Sequence, residues 1–332
     1  MMNKENIKAL GLFSGGLDSQ LAACVLRNQG VGVELVVFDS PFYDPSSAIK
    51  ATESLGFPLH IVDFTDSIVG LVNHPPHGFG SHMNPCIDCH ALMFRTAGQM
   101  MTKMGFDFIF TGEVLNQRPM SQNRSSLALV AKDSTFADLV LRPLCAKLLE
   151  PTKPEREGWV DREQLLGLSG RGRKPQFALA KQFGIKEYPS PAGGCRLTEP
   201  GYSLRLADLK KHEGLSDKRA LTLLRFGRHF RFASGTKYIL GRHAQDNAEI
   251  ENLADASDKI LVPVNIPGPS GLLPPSASET DEETAARILA RYTHMPPDQE
   301  VIVKIRSLNQ SHEISVRAMP EDAVTQMLIQ KR

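Results

Sequence analysis

Short apolar runs and longer amphipathic stretches alternate through the first third of the chain. Residues 7–13 predict a strand and residues 18–29 a helix. VGVELVVFD, 31–39, predicts a second strand, ending in Asp39 and the turn-rich SPFYDPSS. A helix follows at 47–55, a third strand at 58–64 (PLHIVDF), a Met-rich helix at 90–105 and a fourth strand at 106–112 (FDFIFTG). Strands alternating with helices imply an α/β fold with a doubly wound, mainly parallel sheet. Ligands of such a sheet gather beyond its carboxyl ends, so the loops after Phe13, Phe38 and Phe110 are expected to converge. Residues 145–190, rich in Pro, Gly and charge, read as an elaborated insertion with a helix near 175–183. From about 215 the pattern changes to FRFASGTKYILGR and EVIVKIRS, strands of another sheet, with helices near 246–255 and 281–292. The segment 263–280, with five Pro, reads as a loop. The expected organisation is a first domain over 1–210 and a smaller α+β domain over 216–332.

The stretch LFSGGLDSQLAA, 12–23, sits where the first strand meets the first helix. Gly15 and Gly16 break the strand, and Asp18 and Ser19 suit a helix start. A strand, a tight Gly turn and a helix aim backbone N–H groups and the helix dipole at one point, which favours an anion. Ser14 and Ser19 on either side, with the carboxylate of Asp18, suit a pyrophosphate and its magnesium. No Gly-Lys-Ser/Thr follows, so this is not the loop of the common ATPases and GTPases. The alternative is a helix cap after a buried strand.

Charge adds little: the 332 residues hold 38 Lys plus Arg against 37 Asp plus Glu. No apolar stretch approaches the about 20 residues that span a bilayer, and MMNKENIKAL lacks a signal-peptide apolar region. Five Cys, an odd number, do not suggest a disulfide framework, so the expected compartment is the cytoplasm.

Cys86 and Cys89 form C-x-x-C in NPCIDCH, and Cys195 ends the Gly turn SPAGGC. Cys24, among Leu21, Ala22 and Val25, and Cys145 read as structural. The trio admits three readings: a structural zinc with His90 or His82 as fourth ligand, a thiol pair carrying a persulfide, or a 4Fe–4S cluster on three thiolates with one open iron. Each requires the two motifs to close in space.

Ser14-Gly15-Gly16-Leu17-Asp18-Ser19 resembles the PP-loop of the ATP pyrophosphatases. That family splits ATP between the α and β phosphates and moves AMP onto a substrate oxygen. Asn84-Pro85-Cys86-x-x-Cys89 and Pro191-Ala192-Gly193-Gly194-Cys195 resemble the paired motifs of tRNA 2-thiouridine synthases. Many members carry Asp at the position of Cys86. Cys there moves the pattern towards tRNA thiolases with a three-cysteine iron–sulfur centre, which include some 4-thiouridine synthetases. TGEVLNQRPMSQ, 111–122, is similar to the same catalytic domains, and the resemblance spans roughly 7–210. It implies ATP and magnesium on Ser14, Gly15, Gly16, Asp18 and Ser19, with Phe38, Thr111, Gly112 and Arg118 around the nucleotide. It also implies catalysis by Asp18, Cys86, Cys89 and Cys195, the three cysteines holding a 4Fe–4S cluster. The implied partners are tRNA and an external sulfur donor.

Residues 225–330 resemble the RNA-binding domain of the fibronectin-binding and ribosome quality-control family, through Phe230-Arg231-Phe232, Gly235-Thr236-Lys237, Ile239-Leu240-Gly241-Arg242 and Ile266-Pro267-Gly268. The family's Trp-Leu-His is replaced by Leu261-Val262-Pro263-Val264. Independently of the resemblance, Arg205, Lys210, Lys211, Lys218, Arg219, Arg225, Arg228, Arg231, Lys237 and Arg242 outnumber nearby acids and could neutralise phosphates. The expected activity is ATP-dependent thiolation of a tRNA uridine. An ATP-dependent amide ligase and a non-catalytic RNA-binding factor are the alternatives; the first has no need of the three cysteines together, and the intact loop argues against the second.

Overall fold

The computed structural model describes residues 7–118, 120–190, 194–308 and 310–330. The chain divides into two compact units, one ending at Thr198 and the other beginning at Glu199. In the first, β1 (Lys8–Leu12) leads into α1 (Leu17–Asn28), β2 (Gly32–Asp39), α2 (Ser46–Leu55), β3 (Leu59–Asp63), α3 (Thr65–Asn73), α4 (Cys86–Met104) and β4 (Phe108–Thr111). Then come α5 (Arg124–Ser134), β5 (Val140–Leu141), α6 (Lys153–Arg156) and α7 (Lys174–Gln182). The strands form one sheet in the order β3-β2-β1-β4-β5, parallel at every pairing. The chain leaves β1 towards one edge and returns to β4 on the other side. The crevice beyond the carboxyl ends of β1 and β4 is therefore the topological switch point.

The four strands expected in this region are present, and a fifth is added. β5 has only two residues, too few for a periodic signal, and pairs Ile109 with Val140. α4 begins at Cys86, not near residue 90, so the C-x-x-C pair lies on its first turn instead of in a loop. α5 is a further addition, although Asn123 caps it by accepting from the Ser126 N–H at 2.8 Å. One face of the sheet is sealed by α1, whose residues from Leu17 to Leu26 are almost all buried against Phe108, Phe110 and Leu141. Trp159, Leu165, Ala180 and Ile185 join the same core, so the 145–190 insertion packs as part of the unit.

The carboxyl ends of β4 and β5 are joined by a buried ion pair. Arg142 Nε donates to Glu113 Oε2 at 2.9 Å, with both side chains under one-tenth exposed, and Arg142 Nη2 donates to Leu127 O.

The second unit contains α8 (Pro200–His212), α9 (Lys218–Leu223), β6 (Arg228–Arg231), β7 (Lys237–Leu240), α10 (Ala244–Leu253) and β8 (Lys259–Pro263). These are followed by β9 (Gly271–Leu273), α11 (Glu279–Arg291), β10 (Glu300–Arg306), β11 (Ser311–Arg317) and α12 (Glu321–Met327). Its sheet runs β11-β10-β8-β9-β7-β6 and is antiparallel throughout. β10 alternates strictly between buried and exposed positions, as a strand with one wet face must. The 263–280 segment is not wholly a loop: Gly271-Leu272-Leu273 form β9, which joins β7 to β8. Among the described residues no helix is long and apolar enough to cross a membrane.

Removing one member of a buried pair leaves the other charge without compensation, at a cost of about 3–5 kcal/mol. Arg142→Met is therefore expected to destabilise the first unit by that amount in urea unfolding at pH 7, with Glu113→Gln added on top restoring part of it. Burial alone would raise the Glu113 carboxyl, but Arg142 and His90 hold it below the usual carboxylate range. The stabilisation is thus present above about pH 4.3 and lost as pH falls through the depressed value. The gap between wild type and Arg142→Met should narrow in that acidic window.

Candidate active site

The loop from Ser14 to Ser19 closes on itself. Gly16 N–H donates to Ser14 Oγ at 3.3 Å, and Ser19 Oγ donates to Gly16 O at 2.8 Å. Gln20 Nε2 donates to Gly15 O at 2.7 Å and holds the turn from inside the helix. Gly15 has φ +73°, and a Cβ on it would run into the main chain of Ser47 and Ala48 at the start of α2. Only glycine fits there, for both reasons. Gly16 is the N-cap of α1 and supplies no side-chain oxygen to the first turn. The helix dipole therefore opens onto the loop with no side chain spent on it.

Gly112, just past β4, lies against this first turn. A Cβ on Gly112 would sit 2.5 Å from Ser19 N and 2.6 Å from the Asp18 carbonyl carbon. Its part is close approach, which places Thr111 and the following loop beside Asp18. Asp18 Oδ2 accepts from Gln117 Nε2 at 2.7 Å and from Arg173 Nη2 at 3.3 Å, and Gln176 Nε2 donates to Gln117 Oε1 at 3.1 Å. Asp18 Oδ1 is buried with no partner. Phe38 is placed differently. Its side chain is buried and packs on Phe64, with ring centroids 4.7 Å apart, so it belongs to the core.

The three cysteines come together. Cys86 and Cys89 are one turn apart on α4, and Cys195 arrives on a segment tied to the loop after β2 by Arg196 N–H donating to Phe42 O at 2.9 Å. Asn84 Nδ2 donates to Cys86 Sγ at 3.1 Å. Burial, then the negative charge that Cys195 and Cys86 would carry, pushes the Cys89 thiol far up. Burial pushes Cys195 up to about 11, Cys86 adds to the rise, and the Leu197 and Thr198 backbone amides and Arg118 oppose it. Arg118 is therefore near enough to Cys195 to act on it, while remaining exposed itself. Tyr43, in the loop after β2, brings a buried hydroxyl beside Cys89 that makes no hydrogen bond of good geometry. Pro119, Pro191, Ala192 and Gly193, which belong to the motifs read from the sequence, lie outside the described residues.

Cys24 and Cys145 are apart from this trio. Cys24 is buried in α1 beside Arg27, and Cys145 is fully buried with Leu115 and Leu127, its thiol donating to Glu113 O. His90, one of the candidate zinc ligands, faces Glu113, its Nδ1 3.4 Å from Oε1. Among the described residues no three His, Cys, Asp or Glu side chains close round a single metal ion. Cys89 is buried and Cys86 and Cys195 are half-buried, near enough to oppose one another's ionisation and beside a phenol hydroxyl with no partner among the described residues; thiolates are the ligands that a cationic centre would take there. The sequence motifs assign no role to Tyr43, Asn84, Gln117 or Arg173. Gln117 and Asn84 lie inside the quoted motifs, but nothing local marks the other two.

In the second unit several basic residues are engaged internally. Arg231 pairs with Asp208 and Glu213, Arg219 with Asp258 and Asp255, and Arg242 with Asp246. Arg228 stacks over Tyr292 at 4.3 Å. The basic run is therefore a weaker phosphate-binding face than its composition suggests. Lys237 lines an open cavity of about 650 Å³ with Thr236 and Ser276, and burial lowers its amine to about 8.

Residues 5–148 match the sequence model of the family described as thiamine biosynthesis protein (ThiI), and residues 227–328 that of the NFACT protein RNA binding domain. A probable tRNA sulfurtransferase of Thermoanaerobacter sp. (strain X514) is 29% identical over 197 residues, covering 48% of this chain and 50% of that protein. A tRNA sulfurtransferase of Desulfurococcus amylolyticus is 32% identical over 146 residues, 41% of this chain and 29% of its own length. The chain thus spans half or less of the length of these two relatives. A solved 4-thiouridine synthetase–RNA complex with bound ATP aligns with 22% identity and a TM-score of 0.36, over 65% of this chain and 52% of that one. The first unit of this chain thus matches the ThiI family model, and the second matches the model of the NFACT RNA binding domain.

Proposed function

We propose that this protein is an ATP-dependent tRNA uridine thiolase. The observation that carries the reading is the meeting of Cys86, Cys89 and Cys195 at the same carboxyl edge of the sheet as the Ser14–Ser19 loop. An amide ligase built on this loop would need no such trio. The ThiI-family match over the first unit and the RNA-binding match over the second support the same reading.

ATP would lie with its triphosphate over the loop, held by the backbone of Gly15 and Gly16, the Ser14 and Ser19 hydroxyls and the start of α1. Asp18 would face the magnesium that accompanies it. The target uridine must leave its stack to reach the crevice. A carbonyl oxygen of its ring then attacks the α-phosphorus, and pyrophosphate leaves. The chemical reason for this step is that an amide-like oxygen is a poor leaving group, whereas the same oxygen carried away in AMP is a good one. Sulfide then attacks the ring carbon and AMP departs. Positioning and charge neutralisation do the work, so no protein nucleophile is needed for the phosphorus chemistry.

Cys86, Cys89 and Cys195 would hold a 4Fe–4S cluster. When bound, such a cluster supplies one iron without a protein ligand, where an exogenous sulfide can be carried. Burial raises Cys89 and Cys195, and a bound cationic centre would offset that rise by stabilising their thiolates. The chain's own residues orient the donor set: Asn84 on Cys86, Tyr43 beside Cys89, and the amides of Leu197 and Thr198 with Arg118 beside Cys195.

After anaerobic purification, Cys86→Ala, Cys89→Ala and Cys195→Ala are each expected to lose iron and tRNA thiolation, while Cys24→Ala and Cys145→Ala retain both. Iron counting, the absorbance near ~400 nm that iron–sulfur centres show and mass spectrometry of the tRNA read the outcome. Colourless, iron-free wild type that still thiolates would restore the persulfide route. Deleting the unit from Glu199 onward is expected to weaken tRNA binding and flatten its dependence on salt, measured by filter binding across a salt series. Unchanged affinity and slope would remove that unit from RNA recognition.

A further inference from the structure

Arg173 is the residue beside the loop whose side chain the fold leaves incomplete. It comes from the insertion, at the N-cap of α7, and its side chain is 13% exposed. The segment that delivers it is fixed. Leu115 and Ser169 form a bridge, Gly170 N–H donates to Leu115 O at 2.8 Å, and Asn116 Nδ2 donates to Ser169 Oγ. The guanidinium thus reaches Asp18 in the first turn of α1. Among the described residues only one of its nitrogens is used: Nη2 donates to Asp18 Oδ2 at 3.3 Å. Nε and Nη1 are buried from solvent and have no acceptor among those residues. Asp18 Oδ1 and Gln176 Oε1, in the same cluster, are also buried and unsatisfied.

A guanidinium is a fork of five donors that matches a phosphate by two parallel bonds. Burying that fork with two unmet donors is unfavourable unless an acceptor is to arrive. Two further observations say which acceptor. The unmet donors lie beside an open helix N-terminus and a Gly loop, both of which attract anions. The contact Arg173 does make, at 3.3 Å, is long for a charge-assisted bond, whereas Asp18 already has a shorter one from Gln117 at 2.7 Å.

We infer that Arg173 is a phosphate ligand of the nucleotide, held on Asp18 until a nucleoside triphosphate enters and then turned onto a phosphate oxygen. This rests on the ATP assignment and extends the site to the Arg-Gly-Arg segment at 171–173. Gln117 stays on Asp18 through the exchange, because Gln176 holds it in place at 3.1 Å. Release of Nη2 leaves Asp18 Oδ2 to Gln117 and to the cation that accompanies the triphosphate.

The test compares wild type, Arg173→Gln and Arg173→Lys of the full chain by calorimetric titration with magnesium and a non-hydrolysable analogue, α,β-methylene-ATP, and separately with adenosine. Wild type is expected to bind the analogue. Arg173→Gln should bind it about 10- to 100-fold more weakly, the scale of charge-assisted hydrogen bonds to one phosphate. Arg173→Lys should fall between, because it keeps the charge and loses the fork. Adenosine affinity should be the same in all three proteins. Unchanged affinity of Arg173→Gln for the analogue, or an equal loss for adenosine, would overturn the assignment while leaving the ATP reading in place. Wild type that does not bind the analogue would overturn both.

Discussion

The first unit depends on one close approach of main chain to main chain. Where β4 ends, Gly112 lies so near the first turn of α1 that a single methyl would collide with Asp18 and Ser19. β1 and β4 are neighbours in the sheet, and this contact brings the loops at their carboxyl ends into register beyond the sheet edge. Gly15 makes the corresponding approach to the start of α2. Between them the two glycines fix where the helix dipole points and which loops surround it. The Glu113–Arg142 pair then locks the β4 loop to β5, at the desolvation cost that buried charges carry.

Around that point the structure separates two kinds of chemistry. The glycine loop, Asp18, Gln117 and Arg173 form a polar cluster at the first turn of α1. The cysteines form a second cluster, drier and without its own positive charge except for Arg118. Surroundings separate the two groups of cysteines. Cys24 and Cys145 are enclosed among aliphatic neighbours and behave as small apolar residues. Cys86, Cys89 and Cys195 are instead neighbours of one another, Cys89 buried and the other two half-buried, so that each opposes the ionisation of the next.

The second unit shows how far composition can mislead. Its basic run is real in the sequence, but Arg219, Arg231 and Arg242 are spent on carboxylates of the same unit. Counting charges cannot see those partners, because Asp208 and Arg231 are 23 residues apart and Arg219 and Asp258 are 39 apart. β9 was hidden for a similar reason. Three residues among prolines carry no period, and they become a strand only because β7 and β8 lie on either side to receive their hydrogen bonds.

The parallel architecture, the strand–turn–helix start and the two cysteine motifs are all legible in the order of residues. These are local properties: apolar period, glycine where no side chain fits, and residue type at short spacing. The relations between distant segments are not legible there and belong to the folded chain. Cys195 reaches Cys86 and Cys89 on a segment whose Arg196 N–H donates to Phe42 O, Phe38 turns into the core against Phe64, and Arg173 crosses from the insertion to Asp18. Each of these depends on which side chains share a volume once the sheet has closed. No spacing along the chain encodes that, because burial and the pairing of charges are settled by neighbours in space.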